Sequence, residues 1–552
     1  MGKVLFAVVT ALAGAMIASS AVGQVDPFRT VALSGNPAPG LPDGVYYDSF
    51  SPNLFRLSVN DAGQVAFVGA LSGTNVDETN DQALFSEGGG LGAVPLARRG
   101  EQTAGLPIGL QFGDQIALPA VEAEILLNNA GQTAARAGIE GGTPNINRAI
   151  FSDAGGGGLF TLARLRGLVD AIEPIPPRES PRYDFLGQLQ FNDAGHTAFR
   201  AVVSGFGIDT SNNQVILSES GGNGLEVVVQ SGNPAAGVPG AHYTGFFPLR
   251  LNNAGQLAFL AGLGGDGVTP SNDWAIYQGS GPDFSLVARG GDQAPGLPSG
   301  VVYGQAVPQS IARRLNDAGQ VAFVSHLQGT GVFPSNDEAI FAGTSEELNA
   351  IVREGEQAGG LNPGVLHDTL GIVQMHNSGH VAFNSFLRNL NVNDTNNQAL
   401  FSNSAGGSPT AIARTGDQAA GLADGVRYHE FTGSHLINDA GQVAFFANLT
   451  DGNSVSGGLF VTDLLGEVRL VTAVGELFDV SDDPLVPDWR TVSALNAFDL
   501  SSRHVALWAQ FTDGSSGVFV TVVPEPGSAG LFSFIVLLVA RYRRAACGCS
   551  GP

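Results

Sequence analysis

The strongest constraint on this chain is a motif it writes eight times, a variant of Leu-Asn-Asp-Ala-Gly-Gln-Val-Ala-Phe at intervals of roughly sixty residues. Seven copies are counted from Asn60, Asn128, Asn192, Asn252, Asn316, Asn377 and Asn438, and a degenerate eighth runs from Leu500 to Leu507. Self-similarity at a fixed period means that each unit is one supersecondary element that cannot bury its apolar surface alone and must stack on its neighbours.

The unit beginning at Tyr243 shows how one repeat is built. Tyr243 to Leu251 reads as a strand, and Asn252-Asn253-Ala254-Gly255 as the turn. In that turn an Asn caps its own backbone and a Gly takes positive φ. Gln256 to Ala261 returns as a second strand, with apolar residues at Leu257, Phe259 and Ala261. After a polar loop, Trp274 to Tyr277 forms a third strand and Phe284 to Arg289 a fourth. Third strands recur at Ala83 to Phe85, Ala149 to Phe151, Ala339 to Phe341 and Ala399 to Phe401, and fourth strands at Val94 to Arg98, Leu159 to Arg164, Leu348 to Arg353 and Pro409 to Arg414.

Four antiparallel strands per unit without helical periodicity predict an all-β fold, a β-propeller. The eighth unit has a hairpin (Ala494 to Phe511) and a third strand (Gly517 to Val522) but no fourth. The segment Phe28 to Gly35 resembles the fourth-strand segment Phe284 to Gly290 and leads into the same kind of Pro-Gly turn. The N-terminal strand is therefore expected to complete the last blade and close a ring of eight four-stranded blades. Seven blades plus an outlying unit is the alternative, and an open β-solenoid the third arrangement.

Composition limits the partners. The formal charge is −24 and Lys3 is the only lysine, so nucleic acid, which demands a cationic footprint, is not expected as a partner. The two cysteines, Cys547 and Cys549, lie in the C-terminal tail, so disulfides cannot hold the repeats together.

The ends read as export signals. Residues 1–23 have a charged start at Lys3, an apolar run and a small-residue site before Gln24, the pattern of a signal peptide. Residues 24–522 are the repeat region. In 523–552 the order is Pro524-Glu525-Pro526, a short apolar stretch expected to span the membrane as a helix, then Arg541, Arg543 and Arg544. This tail resembles the PEP-CTERM sorting signal of exported bacterial proteins, and the repeats resemble the tandem-repeat ectodomains found with it. The resemblance implies an exosortase-type processing enzyme as a partner, transient anchorage in the inner membrane, removal of the tail, and residence at the cell surface or in the extracellular matrix. An ordinary C-terminal anchor is the alternative.

Candidate chemistry is sparse. The loops between second and third strands are rich in oxygen ligands, with Asp77 and Asp81, Asp209, Asp266 and Asp273, and Asp394 among Asn, Ser and Thr. Such loops could hold calcium, the one cofactor the pattern suits, or could cap their own backbone. At the fourth-strand ends, Arg98, Arg289, Arg353 and Arg414 stand beside Glu101, Asp292, Glu356 and Asp417. That spacing suggests one ion pair per blade tying it to its neighbour, or a ring of arginines facing a central channel. His367, His376 and His380, with His429 and His435 in the next unit, are candidates for a zinc site, although His196, His380 and His504 occupy the Gln position of the turn and read as surface variants. Gly262 to Gly267 matches a dinucleotide pattern but lies between strands. No catalytic constellation emerges. The expected function is a non-enzymatic propeller binding matrix components, polysaccharide first among them. A polysaccharide hydrolase or lyase with a central-funnel site and a purely structural spacer are the alternatives.

Overall fold

The computed structural model describes residues 27–523 apart from 49, 51–56, 103–104, 114–123, 142–147, 157, 169–179, 282, 312–314, 390, 405 and 484. The signal peptide and the sorting residues Pro524, Glu525, Pro526, Arg541, Arg543 and Arg544 lie outside the described residues. Eight antiparallel sheets follow one another along the chain, seven built from consecutive strands and the last completed by a strand from the N-terminal end. The ring is an eight-bladed β-propeller.

Blade 4 is representative: Ala241–Leu251, Leu257–Gly265, Trp274–Ser280 and Asp283–Arg289, paired in that order. Blade 8 contains Trp489–Leu500, His504–Phe511 and Ser516–Val522, and its fourth strand is Arg29–Leu33 from the other end of the chain. Arg29 pairs with Val520 and Leu33 with Gly517. This is the closure expected from the sequence, and it removes the edge that the last sheet would otherwise expose. The seven-bladed and solenoid arrangements are excluded.

The core divides into eight clusters, one per blade interface, and the Ala-Phe of the repeat explains them. Successive strand residues point to opposite faces. In every blade the second strand puts an alanine on one face (Ala66, Ala134, Ala198, Ala258, Ala322, Ala382, Ala444 and Ala506), fully or almost fully buried. Each alanine packs against the large side chains of the next blade. Ala258 meets Tyr303, Phe323 and Phe341, and Ala382 meets Tyr428, Phe445 and Phe460. At the seam, Ala506 meets Phe67 and Phe85 of blade 1. Within a blade the second-strand and third-strand rings stack, Phe383 on Phe401 and Phe67 on Phe85, each with centroids 5.4 Å apart. The alternation seen in Leu257, Phe259 and Ala261 is thus half of the pattern. The intervening Ala258 and Leu260 are buried too, because each sheet is covered on both faces by its neighbours.

The alanine is a spacing element, since a larger side chain would push adjacent blades apart. Replacing Ala382 with leucine is expected to destabilise the ring by about 1–3 kcal/mol through overpacking, read as a lowered denaturant midpoint at unchanged m-value.

Candidate functional site

The eight repeated turns converge on one mouth of the central channel. A cavity of about 330 Å³ there is lined by the ends of six first strands and by residues of all eight turns, including Asp61, Asn129, Asp193, Asn253, Asp317 and Asp439. The first strand of each blade is therefore innermost, and the fourth lies at the rim.

Each turn is built locally as the sequence predicts. The Asn192 carbonyl accepts the Gly195 N–H at 3.0 Å, and its side-chain oxygen accepts the N–H groups of Ala194 and His196 at 3.2 and 2.9 Å. Gly195 sits at φ +79°, in the left-handed region. What single-turn reasoning misses is that the same side chains also lock adjacent blades. Asn60 Nδ2 donates to the Asn128 carbonyl, Asn128 to Asn192, Asn192 to Asn252 and Asn252 to Asn316, at 2.8–3.0 Å. These asparagines are almost fully buried.

The next residue of each turn forms an outer belt. The Asp61 N–H donates to Asn129 Oδ1, Asn129 to Asp193, Asp193 to Asn253, Asn253 to Asp317 and Asp317 to Asn377, at 2.8–2.9 Å. Asn377 N–H continues to Asp439 at 3.2 Å, and Ser502 N–H closes on Asp61 at 2.7 Å. Around the ring the residues read Asp61, Asn129, Asp193, Asn253, Asp317, Asn377, Asp439, Ser502. Acid and amide alternate until the last place, for a stereochemical reason. The Nδ2 of each amide reaches a carboxylate beside it: Asn129 and Asn253 both donate to Asp193 Oδ2, at 3.1 and 2.8 Å, and Asn377 donates back to Asp317 at 2.9 Å. Eight identical carboxylates would repel one another, whereas the intervening amides separate the charges and donate to Asp193 and Asp317. The signal for this belt was present in the sequence, as a Asp/Asn alternation at one position of successive copies.

Two units depart from the pattern. In the sixth, the turn is closed by Gly379 N–H to the His376 carbonyl at 2.9 Å, so His376, not Asn377, occupies the asparagine position. The copy counted from Asn377 is thereby shifted by one residue. The His376 imidazole bonds the Asp439 carboxylate. Burial pushes the Asp439 carboxyl upward, but the His376 hydrogen bond and charge, the Asn377 N–H and the Ser502 hydroxyl outweigh it and hold it below the usual carboxylate range. In the eighth unit Ser501 and Ser502 stand in for the pair.

The other candidate residues fall elsewhere. Asp77 and Asp209, in the loops at the opposite face, accept the N–H and hydroxyl of Thr79 and of Ser211, which lower both carboxyls. Asp81 bonds Arg99 at 2.9 Å. Asp266, Asp273 and Asp394 are exposed in the equivalent loops of blades 4 and 6. These six carboxylates are dispersed over four blades, and among the described residues no cluster of His, Cys, Asp or Glu is arranged to hold a metal ion.

The repeated arginines form neither inter-blade ion pairs nor a channel ring. Arg98, Arg289, Arg353 and Arg414 lie on the rim strands, where each Nε donates to a loop carbonyl of its own blade: Asn80, Asn272, Asn336 and Asn396, at 2.8–3.3 Å. They clamp the long loop between the second and third strands of their own blade. The histidines are not brought together. His367 is buried against Phe383 and Phe401 and bonds Ser385, His435 is buried in blade 7, and His429 is exposed. His380 and His504, expected at the surface, are half-buried, and burial lowers both.

Residues 2–342 and 305–530 match the model of a family of unknown function (DUF7453). The chain belongs to that family. No curated relative matches this DUF7453 protein. Among solved structures it is similar to puromycin hydrolase (11% identity, TM-score 0.37, covering 88% of this chain and 62% of that one). It is also similar to the β-propeller domain of the Trilobed protease from Pyrococcus furiosus (10%, 0.35, 76% and 98%) and to Trypanosoma rangeli sialidase (10%, 0.24, 81% and 64%). The chain thus spans less than two thirds of the hydrolase and of the sialidase. At these values the likenesses carry no functional argument, and the propeller assignment stands on the strand order. Among the described residues no helix is long and apolar enough to cross a membrane.

Two outcomes are expected of the DUF7453 protein. Asn192→Ala removes three hydrogen bonds at a buried site and should cost about 2–4 kcal/mol in denaturant unfolding, far more than Asn129→Ala at the exposed belt position. The second concerns His367, which occupies the place of Tyr243, Tyr303 and Tyr428 in blades 4, 5 and 7. Burial lowers its pKa from 6.5 to about 4. Between those values the unfolded chain binds the proton and the folded chain does not, so stability falls as pH drops from about 6.5 to 4. The loss approaches about 3 kcal/mol at the lower limit. His367→Tyr, which gives blade 6 the residue that blades 4, 5 and 7 carry at this place, should flatten the fall in melting temperature over this range.

Proposed function

We propose that this protein is an exported propeller, held at the cell surface or in the matrix, that binds polysaccharide without cleaving it. The observation that carries the reading is the belt of alternating carboxylates and amides around the mouth. Its side chains are fixed before any ligand arrives, because each is held by a neighbouring blade, so little ordering entropy is lost on binding. A carboxylate fixed by the N–H of an adjacent turn, as each of the four belt acids is, keeps further acceptor sites on its two oxygens. It is a good acceptor for sugar hydroxyls. The belt is therefore suited to the recognition of sugar hydroxyls.

The acidic composition supports a neutral polymer as the ligand, since an anionic one would be repelled. Export is supported by the two terminal segments and their resemblance to a signal peptide and a PEP-CTERM tail. In the producing cell, Glu525→Ala is expected to leave the unprocessed chain in the membrane fraction, whereas release of that variant would argue against exosortase processing.

The binding reading is tested with residues 24–522 on immobilised neutral and acidic bacterial exopolysaccharides, with calcium and with chelator. Retention on a neutral polymer with its chain length unchanged is the expected result. Shortened polymer would favour a hydrolase or lyase. Lack of retention on every polymer would overturn the proposal.

A further inference from the structure

Away from the belt, towards the opposite end of the first strand of blade 4, lies a second cavity of about 450 Å³, within the range of small-molecule sites. Its walls come from a place where blade 4 breaks the repeat. Strand register aligns Phe246 and Leu249 with Leu186 and Leu189 of blade 3 and with Leu370 and Val373 of blade 6. The residue after the first of these is glycine in blades 3 and 6 (Gly187 and Gly371), but Phe247 in blade 4. On the second strand the exchange is reversed. Val202 and Phe386 stand in blades 3 and 6 where blade 4 has Gly262.

The exchange moves bulk from one strand to the other and opens the cleft. The Phe247 ring lies over Gly262, 3.9 Å from where a β-carbon would be, and remains 46% exposed. A side chain at position 262 would also meet the Thr244 hydroxyl at 2.6 Å. Exposed Thr244 and Asp273 and half-buried Gln214 line the same space. Gln214 is oriented by the Phe246 N–H, which donates to its Oε1 at 3.4 Å. Trp274 forms a fixed wall, its indole N–H donating to the Gly304 carbonyl of blade 5 at 2.8 Å.

An exposed aromatic face beside a hydroxyl, an amide and a carboxylate matches the two sides of a sugar ring, with its C–H face against the ring and its hydroxyls towards the polar groups. We infer that this cleft is a subsite for one neutral pyranose residue of a glycan, stacked on Phe247 and hydrogen-bonded to Thr244, Gln214 and Asp273. Asp273 and the net charge of −24 disfavour an acidic sugar. This inference rests on the polysaccharide reading but concerns a different place on the propeller.

The test uses residues 24–522 and neutral gluco-, manno- and galacto-oligosaccharides, observed by saturation-transfer NMR and titration. Phe247→Ala should weaken binding roughly tenfold. The double variant Phe247→Gly with Gly262→Val restores the arrangement of blade 3 and fills the cleft. It should abolish binding of short oligosaccharides while still unfolding in one cooperative transition above room temperature, which separates loss of the site from loss of the fold. Unchanged oligosaccharide affinity in this folded double variant would overturn the subsite and leave the polysaccharide reading standing. Polymer retention by the wild type without binding of any neutral oligosaccharide would also overturn the subsite, and no retention at all would overturn both.

Discussion

Hydrogen bonding across blade boundaries at the channel mouth is the constraint on which the rest of this structure depends. Each turn closes on itself and, through the same asparagine, ties to the next turn. The blades meet mainly through apolar faces, and such non-directional contacts resist separation but tolerate sliding. Directional bonds at the narrow end fix the angular position of each blade. They also settle where the polar surface lies, because the belt side chains are oriented by their neighbours.

The apolar packing repeats the same logic at larger radius. A small residue on one face and a large one on the next lets every blade present a recess to one neighbour and a projection to the other. Closure through Arg29–Leu33 makes the last interface equivalent to the rest, with Ala506 and Trp508 of blade 8 packed on Phe67 and Phe85 of blade 1. Blade 6 shows how much variation this scheme accepts. His376 replaces the capping asparagine and bonds the belt acid Asp439, while His367 replaces a core tyrosine and stays neutral in its place.

The strands, their order and the N-terminal closure were legible because hairpin turns, alternation and period are local properties. The candidate site was less so. The Asn-Asp-Ala-Gly turn is readable as a turn from one copy, yet its second role appears only when copies sixty or more residues apart are placed side by side, as with Asn129 and Asp193. The arginines misled because Arg98 and Glu101 are near in sequence, whereas the partner Arg98 finds is a carbonyl across the blade, Asn80. The acidic loops were ambiguous for a related reason: an aspartate that caps Thr79 and one that binds an ion use the same residue types.

By itself the sequence determined the repeated four-stranded unit and the N-terminal strand that could complete the last one, because period, turn chemistry and the missing last strand are all written along one dimension. That eight blades close the ring, and not seven with an outlying unit, was decided by the structure. The tertiary structure alone decided which repeated polar residues face the channel and which face the rim. It also decided that acids and amides alternate as partners, and that a Phe–Gly exchange in blade 4 leaves a cleft. Those properties depend on side chains brought together from different repeats, and proximity of that kind is set by the pitch of the ring and not by distance along the chain.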